Sequence, residues 1–163
     1  MKPTISSIDE AWIKKWNPCV EALKWYEDYL GKSPVTILNR LIKAKKYDWA
    51  NWFIVRVMEY KDYVSYAVFA AEQVIHIYEK EYPNDKRPRQ AIEAAKLCIK
   101  DPSDKNKEAA WAARAAWAAG AAGAAARAAE VAEAAWAAEA AWAAARADLK
   151  LKILEYGMKL LER

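Results

Sequence analysis

The segment Ala109–Ala147 most constrains the fold, because it is mostly alanine with one larger residue at nearly every third position. Alanine is the strongest helix former, since its side chain loses no rotamer entropy in a helix. A single helix from Ser103 to Leu161 would be roughly 85–90 Å long, which is too long for a compact chain of this size. We therefore predict a break near Gly120–Gly123, where each glycine costs about 1 kcal/mol relative to alanine.

The spacing of larger residues in this segment predicts closely packed helices. A step of three residues turns a helix by about 300°, so Trp111 and Trp117 form part of a bulky ridge and Gly120 and Gly123 leave a smooth face. The uncharged run Ala115–Ala126 is shorter than the roughly 18 apolar residues that a membrane span needs. We therefore predict no membrane association for the chain.

Composition and charge bound the class of protein. The chain is 55% hydrophobic and holds nine tryptophans, which excludes disorder. Its net charge of +4 is too small and too dispersed to favour duplex DNA. Cys19 and Cys98 have no metal-binding spacing and are expected to be reduced in the cytoplasm, although a disulfide between them stays open. The start of the sequence does not resemble a signal peptide, which agrees with a cytoplasmic protein.

The rest of the chain is predicted to form successive amphipathic helices and no strands. The fold class is therefore all-α, a single-domain multi-helix bundle over residues 1–163. Residues 1–100 supply aromatic-rich helices, and residues 101–163 supply Ala/Trp-rich helices that complete the same bundle. Helix starts are predicted from caps and prolines at Ser7, Pro18, Ser33-Pro34, Asp48, Asp62 and Pro88. The fifth helix should bury Val64, Ala67, Val68, Ala71, Val74, Ile75 and Tyr78.

The only histidine, His76, lies on one predicted helix face with Glu72 and Glu79. This spacing can hold a metal ion. Di-iron bundles, however, use Glu-x-x-His from two helices, and here the order is reversed and has no second copy. We favour a structural or solvent-facing histidine, and we predict no metal, no cofactor and no enzymatic activity, since no nucleophile and base occur together.

Arg56 lies within the apolar run WFIVRVM, where a charge is unfavourable unless it is paired. Glu72 is the predicted partner in a structural ion pair. The alternative is a polar pocket lined by Arg56, Glu72 and His76. Nearby, Trp49 and Trp52 are indoles that suit a protein interface or the stacking of a base.

The most distinctive local motif is Asp85-Lys86-Arg87-Pro88-Arg89. Two arginines flank a proline at the first turn of a predicted helix, where free N–H groups and the helix dipole favour anions. The arginine fork suits phosphate or carboxylate. Asp85 would serve equally well to hold these arginines in an internal clamp, so both interpretations stay open.

This motif and the alanine-rich tail resemble the Imm-5-like immunity protein family. The family pattern Asp-x-Arg-Pro-Arg-x-Ala-Ile-Glu is matched by Asp85, Arg87, Pro88, Arg89, Ala91, Ile92 and Glu93. The first 80 residues, with YDWANW and FAAEQVIHIYEKEYP, are similar to its phage-associated branch. The resemblance implies a small helical protein that neutralises a toxin or, if it is phage-borne, a host defence component.

These observations give two expectations for function. The first is a non-enzymatic inhibitor that binds a bacterial effector protein through exposed aromatic and arginine side chains. The second is a module that sequesters a nucleotide or another anionic small molecule, with a closed polar pocket that contains Arg56, His76 or Arg87. Self-association into a homo-oligomer stays open.

Overall fold

A computed structural model of the protein describes residues 5–101, 103–105 and 139–163, with the backbone alone for Glu81 and residues 139–146. These residues form seven α-helices and no strand, which confirms the all-α fold class. The helices are α1 Glu10–Lys15, α2 Val20–Glu27, α3 Pro34–Lys43, α4 Tyr47–Val57, α5 Tyr60–Glu81, α6 Arg87–Lys100 and α7 Glu139–Leu161. The predicted break near Gly120–Gly123 lies outside the described residues.

The chain divides into two compact units, Met1–Glu59 with Lys150–Arg163 and Tyr60–Leu149. The prediction of one domain over residues 1–163 stays a prediction. None of the helices in the described part of the chain has the length and apolar character needed to cross a membrane.

The first unit is built around an aliphatic and aromatic core. Tyr26 and Phe53 are its largest fully buried side chains, and their rings stack with centroids 5.6 Å apart. The backbone before α1 is held to the turn after α2, where Ile8 donates to Lys32 and Gly31 donates to Ile8. Gly31 has a φ of 75°, a left-handed conformation that glycine adopts without strain. The rest of this core consists of Ile8, Ile13, Ala22, Ile37, Leu38, Leu41, Ala50, Ile54, Met58, Leu154, Met158 and Leu160.

Several predicted helix starts are corrected by the caps of the structure. Ser33 caps α3 by accepting from the backbone of Thr36, as the sequence indicates. In α1 the cap is Asp9 in place of Ser7, because the Asp9 carboxylate accepts from the backbone of Trp12. Asp48 and Asp62 lie inside the first turns of α4 and α5 and do not precede them. Acidic side chains favour both positions through the helix dipole, so sequence alone does not separate a cap from a first-turn residue.

The second unit has its core between α5 and α6. Val68, Ile75 and Ile92 are buried there, with Val64, Ala71, Ala95 and Ile99 packed against them. The predicted core face of α5 is partly wrong, because Ala67 and Val74 are exposed. The side chains that contact α6 cover a narrower arc than the predicted face, and Ala67 and Val74 lie beyond its edge.

Candidate functional site

The Asp85–Arg89 motif forms an internal clamp at the start of α6. Arg87 donates to both carboxylate oxygens of Asp85, at 2.8 Å from Nε and 2.5 Å from Nη2. Asp85 also accepts from the backbone N–H of Arg87 at 3.1 Å and from the Tyr78 hydroxyl at 2.8 Å. The anion that a helix start favours is therefore supplied by Asp85 of the same chain.

The electrostatics of the clamp follow from these hydrogen bonds. The Arg87 guanidinium holds the pKa of Asp85 well below its usual range, and the Tyr78 hydroxyl adds a smaller effect, since both donate to the ionised carboxylate. The hydrogen bond to Asp85 raises the pKa of Tyr78. Asp85 is thus stabilised in its charged form, with its acceptors already in use.

Two further ion pairs join α5 and α6 at matching intervals. Arg89 donates to both oxygens of Glu79, at 2.9 and 2.6 Å, and Lys96 lies 2.8 Å from Glu72. The two acids and the two bases are each seven residues apart, so the pairs fix an antiparallel register of the two helices. The Arg89 contact lowers the pKa of Glu79. Both arginines of the motif are therefore engaged by carboxylates of their own unit.

The face of α5 with His76, Glu72 and Glu79, whose spacing could hold a metal ion, is arranged differently from a ligand set. Glu79 and Glu72 are paired with Arg89 and Lys96, and His76 is exposed. Within the described residues, no cluster of three or more His, Cys, Asp or Glu side chains has a spacing that could hold a metal.

Arg56 lies in an aromatic environment in the first unit. Its guanidinium carbon is 3.9 Å from the ring centroid of Trp52 and 5.4 Å from that of Trp16, and Nη1 donates to the Trp52 carbonyl at 2.5 Å. Burial lowers the pKa of Arg56. The predicted partner Glu72 belongs to the second unit, where it pairs with Lys96. The predicted Arg56–Glu72 pair and the pocket with His76 would join the two units, and both stay predictions.

Trp49 and Trp52 are both partly buried on α4 and contact different neighbours. The Trp49 ring meets Trp25 at 6.4 Å, and the Lys46 ammonium lies 3.9 Å from its centroid. Trp52 contacts Tyr26 and Arg56. Of the predicted site residues in this unit, the structure brings together Trp52 and Arg56.

An exposed apolar face runs along α5 in the second unit, and we call it the α5 face. Its members are Tyr60, Tyr63, Ala67, Val74 and Ile77, all exposed. At 100° per residue they fall within an arc of about 100°. Exposed apolar surface that is continuous along a helix is typical of an interaction site.

Four residues take part in these contacts without being predicted as site residues. They are Tyr78 and Lys96 in the second unit and Tyr26 and Trp16 near Arg56. For Lys96 a signal was present, since Glu72 and Glu79 precede a turn and Arg89 and Lys96 follow it at the same spacing. For Tyr26 and Trp16 no such signal exists, because the contacts of Trp16 with Arg56 and of Tyr26 with Trp52 depend on how separate helices pack.

Comparison of the chain with protein-family models, curated proteins and solved structures gives no significant match.

Proposed function

We propose that this protein is a non-enzymatic neutralising protein that binds a bacterial effector, either a toxin or a defence protein. The observation that carries the proposal is the α5 face. Tyrosine and large aliphatic side chains in one exposed arc are the groups that form the centres of protein interfaces. Its two tyrosines lose little conformational entropy on binding and can donate hydrogen bonds to a partner.

The clamp and the resemblance support the same proposal in different ways. Arg87 and Arg89 are each held on a carboxylate, so an external phosphate would have to displace Asp85 or Glu79. The motif that carries the resemblance to Imm-5-like immunity proteins thus acts through the register of α5 and α6. The packing in that register covers one side of α5 and leaves the α5 face exposed.

The proposal is tested with purified full-length protein and two matched variants. Ile77→Asp places a charge on the α5 face, and Val20→Asp places one at another exposed apolar position, on α2. Pull-down from a bacterial host should recover an effector whose activity the purified wild-type protein inhibits. Ile77→Asp should lose both binding and inhibition, whereas Val20→Asp should retain both. Failure to recover any protein partner, or a partner whose activity is unchanged in the complex, would refute the proposal.

Sequestration of a nucleotide or another anionic small molecule is the second candidate, and one observation favours it. Arg56 has no ion pair within the described residues of its own unit, so its charge is available to a ligand. A panel of nucleotides in thermal-shift assays tests this function. A rise in Tm that grows with nucleotide concentration supports it, and an unchanged Tm at high ligand excess counts against it.

A further inference from the structure

The charge of Arg56 is uncompensated in its surroundings. The groups in contact with its guanidinium are two indole rings and a backbone carbonyl. The Tyr26 ring meets one of these indoles, Trp52, at 6.4 Å, and the described part of the first unit supplies no carboxylate within ion-pair distance of Arg56. A partly buried cation without a counterion is unfavourable in a protein. The charges of Arg87 and Arg89, by contrast, are each compensated by a carboxylate in a bidentate pair.

Two buried polar atoms of the first unit have no hydrogen-bond partner in the described residues. They are the Tyr26 hydroxyl and the Arg56 Nε, both inaccessible to solvent. Tyr26 itself is 1% exposed. Buried polar atoms in proteins are almost always hydrogen-bonded, so an unpartnered Nε on a guanidinium without an ion pair, together with an unpartnered Tyr26 hydroxyl, indicates a missing acceptor.

The two indoles that contact Arg56 differ in exposure. Trp52 is partly buried and lies against the guanidinium, whereas Trp16 is 37% exposed at the end of α1. Apolar walls exclude water and strengthen the attraction between a guanidinium and an anion.

We propose that Arg56, with Tyr26 as a second donor and Trp16 and Trp52 as walls, is a binding site for an oxyanion, a carboxylate or a phosphate. Nε and Nη2 form one edge of the guanidinium fork, whose geometry matches two oxygens of either group. The Tyr26 hydroxyl provides a further donor. The site rests on the second candidate function, sequestration of an anion, and it does not depend on the neutralising function, because the α5 face belongs to the other unit.

The test follows the arginine Nε–Hε resonances of the full-length ¹⁵N-labelled protein by NMR. Arg56 and the exposed Arg40 are assigned with Arg56→Lys and Arg40→Lys. The protein is titrated with sodium acetate or inorganic phosphate at constant ionic strength, with sodium chloride as the balancing salt. The Arg56 resonance should shift and saturate while Arg40 changes little. A response to acetate alone assigns a carboxylate site, and a response to phosphate alone assigns a phosphate site.

Two variants separate binding from nonspecific charge effects. Arg56→Gln should weaken binding of the responding anion about tenfold or more, as expected for loss of a charged hydrogen-bond donor. Tyr26→Phe should weaken it about threefold, whereas Tyr29→Phe, in the same aromatic cluster, should not. The wild-type titration and the Tyr26 variant decide the matter even if Arg56→Gln does not fold. Equal shifts of Arg56 and Arg40, saturation by chloride alone, or unchanged affinity in Tyr26→Phe would overturn the proposal.

Discussion

Arg89, near the start of α6, holds Glu79 of α5 in a bidentate ion pair with distances of 2.9 and 2.6 Å. The pair lies next to the turn that joins the two helices, and Lys96–Glu72 repeats it seven residues farther along each helix. Below both pairs, Ile92 packs on Val68 and Ile75. The ion pairs therefore select one register of two helices whose association is driven by apolar contacts.

Reversal of one charge in this pair should lower stability, and exchange of both charges should restore it. Glu79→Arg would place two cations together at the start of α6, so the free energy of unfolding should fall. The double variant Glu79→Arg, Arg89→Glu should recover most of the loss, because the contact is re-formed with opposite polarity. Urea unfolding of the four proteins measures the coupling. Additive effects of the two changes would contradict a direct pair.

The pH dependence of stability should reveal the contribution of the ionised Asp85 carboxylate. Its folded-state pKa is lowered, so it contributes stability above its unfolded pKa of about 3.9 and loses that contribution as the pH falls toward the folded value. Asp85→Asn removes the titrating group. The difference in Tm between wild type and Asp85→Asn should be constant near neutral pH and should shrink below about pH 5. Asp28→Asn serves as the control, because Asp28 is exposed and forms no ion pair with the part of the chain that the structure describes. A difference in Tm between wild type and Asp85→Asn that is unchanged down to pH 2 would contradict the clamp.

Phe53 should be among the most sensitive core positions of the first unit. It is fully buried, stacks on Tyr26 and meets Trp12 edge-on at 5.5 Å. Phe53→Ala should lower the free energy of unfolding by about 3–5 kcal/mol, since it leaves a cavity among rigid rings. Phe53→Leu, which keeps most of the volume, should lose clearly less. Urea unfolding monitored by circular dichroism measures both, and equal small losses would show that the site collapses around the change.

Helix type and order could be predicted from the sequence because they depend on local patterns. The Ser33-Pro34 start of α3 is an example, since the cap and the proline act within one turn. Ser7, by contrast, has the spacing of a capping box, with Glu10 three residues later, but Asp9 lies closer to the first free N–H groups of α1 and is the cap. Two capping residues within three positions compete, and only the backbone geometry decides between them.

The candidate site could be predicted only where its partners are close in sequence. Asp85 and Arg87 lie in one motif, so the sequence itself indicates an internal clamp as one of two interpretations. Arg56 was recognised as a charge in an apolar run, but the rings around it come from α1, α2 and α4 and their approach is a tertiary property. The same limit explains why Ala67 and Val74 are predicted to be buried but are exposed, because a helical pattern does not specify how wide an arc the neighbouring helix covers.

The two cysteines should differ sharply in reactivity, because both are free thiols but only one is accessible. Cys19 is exposed before α2, and Cys98 is 2% exposed within α6. In the native protein a thiol reagent such as DTNB should modify one thiol rapidly, and Cys19→Ser should abolish that phase. Cys98 should react only after unfolding in urea, so its rate reports how often α6 opens. Rapid modification of two thiols in the native protein would show that the packing around Cys98 is looser than its burial implies. If the fast phase is absent without a reducing agent and appears after prior reduction of the protein, Cys19 has been oxidised.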